Sequence, residues 1–135
     1  AHMLSHLQIH LHPDALDRFT LEIPAGGLNP GEPTIDAAAR ELKEETGYSC
    51  GSIEPLITIR TTVAFCNEKI DIYLARNLQK GQQHLDEDEF VNVKAYELAE
   101  LETMIYDGTI QDSKTIAAIL AYKNKYVTPY GDNVK

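Results

Sequence analysis

The chain alternates between two hydrophobic rhythms. "LQIHLH", Leu7 to His12, puts an apolar residue at every second position, as a half-buried strand does. "FTLEI", Phe19 to Ile23, repeats that rhythm and stops at Pro24. From Ile35 the spacing changes, because Ile35, Ala38, Ala39 and Leu42 recur at helical intervals. Pro33 suits a first helical position and Gly47 the residue just past the end, so a helix is predicted between them. "SIEPLITIRTTVAF" reads as one strand, or as two broken near Pro55, and "KIDIYLARNL" alternates Ile70, Ile72 and Leu74 as another. "LQKGQQHLDEDE" is polar and reads as a loop, and "FVNVKAY" reads as a further strand. "ELAELETMIYDG" brings Leu98, Leu101, Met104 and Ile105 to one helical face and ends near Gly108. "DSKTIAAILAYKNK" reads as a last helix, with Asp112 or Ser113 as its cap. The tail from Thr128 is expected to be loose. Strands and helices interleaved in this way predict an α/β fold, a mixed sheet with helices on both sides.

Length and charge narrow the function. A chain of 135 residues suggests one domain with a single modest core. The leading Ala-His-Met looks like a cloning remnant with Met3 as the start, so residues 1–3 are set apart and the domain is expected over residues 4–135. No apolar run is long enough to span a membrane and no signal peptide is evident, which predicts a cytoplasmic protein. A net charge of −9 argues against general nucleic-acid or anionic-membrane binding. It leaves a phosphate-bearing small molecule open, since a bound metal ion supplies the positive charge that side chains lack. Cys50 and Cys66 make neither a zinc pattern nor a disulfide scaffold and are expected as reduced thiols. His6, His10 and His12 share one face of a strand, which is compatible with metal capture or simply with a half-exposed strand.

One helix carries the candidate chemistry. With Glu41 at zero and about 100° per residue, Glu44 falls near −60° and Glu45 near +40°, while the apolar residues centre near about +110°. Glu41 and Glu45 are like charges one turn apart, which is mildly unfavourable. The three carboxylates also sit in the second half of the helix, where the macrodipole disfavours negative charge. No Lys or Arg lies three or four residues beyond any of them. Clustered carboxylates on one rigid face suit Mg²⁺ or Mn²⁺, hard cations that take oxygen ligands and keep positions for water and phosphate. A plain acidic surface is the competing reading.

The surrounding residues carry a resemblance. From Gly26 the chain reads Gly, five residues, Glu32, seven residues, then "RELKEETGY" from Arg40 to Tyr48. This resembles the Nudix box at every fixed position, including the aliphatic Leu42. "LEIPAGGLNPGE", "FCNEKIDIYLARNL", "LDEDEFVNV" and "GTIQDSKTIAAILAY" resemble segments of the ADP-ribose pyrophosphatase branch, so the similarity runs from about Asp17 to about Tyr126. It implies an alpha/beta/alpha sandwich and metal-dependent cleavage of a nucleoside diphosphate linked to another group. It implies Glu41, Glu44 and Glu45 as metal ligands with the carbonyl of Ala25, and Glu87, then Glu89, as the general base. Arg40 is read as an orienter that reaches carboxylates in a fork, with Glu22 as a plausible partner. Gly26 and Gly27 would let the loop wrap the metal through torsions that other residues resist. Glu32 is read as a structural residue that caps or pins that loop.

Two departures qualify the match. The branch usually carries a Ser-Pro-Gly turn where this chain has Thr62-Val63-Ala64, so substrate choice stays open between ADP-ribose or a related sugar nucleotide and another nucleotide. A catalytically weak nucleotide-binding member is a third reading. The stretch before the box is short and lacks the usual basic and aromatic residues, so the N-terminal strands are expected to be reduced. Ile70, Ile72 and Leu74 would then need another cover, and a homodimer that buries this edge is expected.

Overall fold

The computed structural model describes residues 6–13, 19–23, 26–61, 68–81 and 93–127, the first two strands by their backbone. The element order is β1 (His6–Pro13), β2 (Phe19–Glu22), α1 (Thr34–Thr46), β3 (Tyr48–Arg60), β4 (Lys69–Lys80), β5 (Val93–Glu97), α2 (Leu98–Tyr106) and α3 (Ser113–Tyr126). Two sheets are present among these residues, one in the order β2-β1-β5 and one of β3 with β4. The expected mixed sheet differs in one respect: all three described pairings are antiparallel. The β1 strand is fully built into its sheet, pairing with both β2 and β5.

Local chemistry accounts for the boundaries. Helix α1 begins one residue later than expected, because Pro33 is the extended cap, and its carbonyl accepts from Asp36 and Ala37. It ends where Gly47 turns left-handed at φ 79°, a conformation glycine adopts without steric cost. Strand β3 runs unbroken through Pro55, with a slip in register between Pro55 and Ile57. One extra residue, Leu56, is absorbed there, as in a bulge. Asp112, not Ser113, caps α3, accepting from the Thr115 N–H.

Strand β4 separates two packing layers. Leu74 packs with Leu101 of α2, Ile119 and Tyr122 of α3, and Ile110 from the turn between those helices, and this is the buried core. On the opposite face, Tyr73 bonds to Thr34 at the start of α1 through its hydroxyl. Strand residues one apart point to opposite faces, so α1 and α3 flank the β3–β4 pair from two sides. Within a single chain Leu74 is 1% exposed against residues of α2 and α3, Ile72 is 6% exposed, and Ile70 is half-buried.

Candidate active site

A cleft of about 790 Å³ opens between α1, β4, the loop at Gly26–Leu28 and the start of α3. Glu41 and Glu45 line it; Glu44 is on the helix edge beside Arg40 and is not part of the lining. Glu45 is only 7% exposed, between Leu42 and Ala37, which are also buried. The carboxylate stripe predicted from the helical wheel therefore overlaps the buried face instead of standing apart from it. Lys69 and Lys114 bring the lysines to this cleft, alongside Asp71 and Asp112. Asp71 accepts from Thr58 at 2.7 Å, and that bond holds its carboxyl below the ordinary value.

Arg40 ties the helix to the loop. Its Nε and Nη2 donate to the two oxygens of Glu32, each at 2.9 Å, and Nη2 also reaches the Gly27 carbonyl at 2.9 Å. Its Nη1 donates to Glu41 at 2.7 Å and to Glu44 at 3.2 Å. Arg40 is thus the cation that balances the acidic stripe, and it lies four residues before Glu44. Bonds to Glu32 and Glu41 hold the guanidinium above its usual value. The Arg40 bond, then the Asn29 N–H, lower the Glu32 carboxyl from 4.5 to about 2. Glu32 accepts from the Asn29 N–H at 3.0 Å as well as from Arg40.

The two loop glycines differ in the room around them. Among the described residues the positive-φ glycines are Gly31, Gly47 and Gly108. What matters at Gly26 is room, since a Cβ built there would overlap the carboxylate of Glu41. A Cβ at Gly27 would meet nothing within 4 Å. Ala25, Glu87, Glu89, Cys66, Thr62-Val63-Ala64, the tail from Thr128 and the side chain of Glu22 lie outside the described residues.

The donor set suits a hard divalent cation in kind, with carboxylate oxygens of Glu41 and Glu45 on one wall and main chain packed against Glu41. Its arrangement is incomplete, because among the described residues no three His, Cys, Asp or Glu side chains converge to hold a metal ion. Arg40 holds Glu41 and Glu44 in that arrangement.

The fold and the carboxylate helix define a class. Residues 9–119 match the NUDIX domain, and the chain belongs to that family. It is 43% identical over 106 residues to a methanol dehydrogenase activator of Bacillus methanolicus, covering 77% of this chain and 57% of that protein. It is 37% identical over 106 residues to an ADP-ribose pyrophosphatase of Bacillus subtilis, with the same coverage. The chain thus spans little more than half the length of these relatives. The crystal structure of an ADP compounds hydrolase superposes with a TM-score of 0.79 at 23% identity, covering 92% of this chain and 70% of that one. That likeness establishes the Nudix fold. No helix among the described residues is long and apolar enough to cross a membrane.

Proposed function

We propose that this chain hydrolyses the pyrophosphate bond of ADP-ribose or a related nucleoside diphosphate sugar, giving a nucleoside monophosphate and a sugar phosphate. The observation that carries the reading is the pairing of Glu41 and Glu45 on one wall of a cleft whose rim is the Gly26–Gly27 backbone tied back by Arg40. The relatives named for ADP-ribose support the substrate class. Glu41, Glu44 and Glu45, with the Ala25 carbonyl, would hold Mg²⁺ or Mn²⁺. Such an ion supplies positive charge to a diphosphate and acidifies water. Arg40 ties the loop to Glu41 and Glu44, and Glu45 is buried on the same helix. Glu87, with Glu89 next, is the proposed base, and the Thr62-Val63-Ala64 segment leaves a different nucleotide as the alternative substrate.

A second reading is a nucleotide-binding member with little turnover. It is favoured by Arg40 occupying Glu41 and Glu44, and by a relative named as an activator. The test is hydrolysis of ADP-ribose and a panel of nucleoside diphosphate compounds with Mg²⁺ or Mn²⁺, with Glu44→Gln and Glu45→Gln beside the parent. Metal-dependent turnover lost in both variants is the expected result. Binding without turnover by folded parent protein would select the second reading.

A further inference from the structure

Among the described residues, Pro33 caps α1 without a side-chain hydrogen bond. The hydroxyl of Thr34, the first helical residue, reaches across to β4 instead and bonds to the Tyr73 hydroxyl. Asp71 settles the direction of that bond. It lies two residues before Tyr73, on the same face of β4. The Thr58 bond first, then one from Thr34, hold the Asp71 carboxyl below its ordinary value against desolvation. An ionised carboxylate accepts and does not donate, so Thr34 spends its one proton on Asp71 and the Tyr73 O–H donates to Thr34. Thr58 stands opposite Asp71 on β3 and donates to it at 2.7 Å. The run Tyr73, Thr34, Asp71, Thr58 thus joins α1 to both strands of the hairpin.

This clasp sits in the cleft itself, since Thr34, Asp71 and Tyr73 line it together with Glu41 and Glu45. Thr34 and the two glutamates share one rigid helix, about 10 Å and about 16 Å apart along its axis. Just past the other end of α1, the Gly81 N–H donates to the Gly47 carbonyl at 2.6 Å, so the helix is also tied to the chain leaving β4. That second tie stands outside the cleft, whose β4 lining runs from Lys69 to Ala75. With α1 anchored there, the Thr34–Tyr73 bond fixes how far the carboxylate wall stands from the β4 wall. We propose that Tyr73 and Thr34 are positioning residues that set the width of the cleft, and so govern how a nucleoside diphosphate is held between α1 and β4. This rests on the reading that the cleft takes such a substrate. The side chains proposed to hold the metal all belong to α1, so loosening the clasp moves them as one body and spares the metal affinity.

The experiment compares parent, Tyr73→Phe, Thr34→Val, Thr34→Ser and the Tyr73→Phe/Thr34→Val double variant on the best compound of the nucleotide panel. Steady-state kinetics give KM and kcat, a direct Kd replaces KM for a parent that binds without turnover, and water-proton relaxation gives Mn²⁺ affinity. Phenylalanine and valine each remove one hydroxyl and keep the shape. Each is expected to raise KM or Kd about two- to tenfold, the worth of one hydrogen bond. Any kcat and the Mn²⁺ affinity should stay within about twofold, the split that marks lost substrate binding. The double variant should behave as Thr34→Val alone, because the two hydroxyls form one bond. Serine at position 34 should keep the parent value. If Thr34→Val does not fold, Thr34→Ala removes the same hydroxyl and should behave alike. Folded single variants with parent KM or Kd overturn this inference alone, as do effects that add in the double variant or a matching loss of Mn²⁺ affinity. A folded parent that neither binds nor cleaves any compound of the panel overturns the reading of the cleft and this inference with it.

Discussion

Arg40 and Glu32 meet as a fork, Nε to one carboxylate oxygen and Nη2 to the other, both at 2.9 Å. They are eight positions apart in sequence, and the pair closes the loop onto the helix that follows it. The same guanidinium holds the Gly27 carbonyl and Glu41, so one side chain sets the distance between the two walls of the cleft.

Lysine cannot reproduce that planar fork. Arg40→Lys is expected to lower kcat/KM on the best substrate by about tenfold or more, as loss of an orienting residue does. Steady-state kinetics check this, and circular dichroism should show the fold retained.

The Glu32–Arg40 pair also makes a pH signature. The folded carboxyl titrates near 2 and its ordinary value is 4.5. A depressed folded value means that the stabilisation is complete above about pH 4.5 and fades as pH falls toward 2. The difference in Tm between parent and Glu32→Gln is expected to be largest near neutral pH and to shrink through that window. A difference that stays constant from pH 6 to the acid limit would contradict it.

Gly26 and Gly27 should separate on substitution. Gly26→Ala forces a Cβ into the Glu41 carboxylate and is expected to lower activity at least about tenfold. Gly27→Ala meets open space and should stay within about twofold of the parent. Parallel assays of the two variants decide the point.

Leu101 and Ile119 are both completely buried where α2 and α3 meet β4. Leu101→Ala is expected to cost about 2–5 kcal/mol, the range for deleting a buried leucine side chain. Urea unfolding followed by circular dichroism measures it.

Burial pushes the Cys50 thiol above its ordinary value, so the reactive thiolate is scarce at neutral pH. In a Cys66→Ser background, Cys50 should react with a thiol reagent several-fold more slowly than a free cysteine near pH 8. Reaction as fast as the free thiol would show that it is not held in an apolar setting.

Much of the molecule was legible in the residue pattern. Strand β4 was readable because Ile70, Ile72 and Leu74 alternate, and α1 because Pro33, Gly47 and the Ala-Leu stripe bracket it. The carboxylate trio was readable because an α-helix has a fixed angular step. The role of Arg40 was only partly readable: its reach to carboxylates was foreseen, but Glu32 and the Gly27 carbonyl were not, since a loop's path has no period. The balancing cation, Arg40, lies one turn before Glu44, on the N-terminal side of the carboxylates.

The sequence by itself determined the local elements, the family resemblance and the acidic face, because these depend on spacing over a few dozen residues. Only the tertiary structure decided which carboxylates face the cleft, that Gly26 lies against the Glu41 carboxylate, and that Ile72 and Leu74 are buried within one chain. It alone joined Thr34 to Tyr73. Each of these is a contact between segments far apart in the chain. Such contacts follow from how the helices settle on the sheet, and no short-range periodicity encodes that.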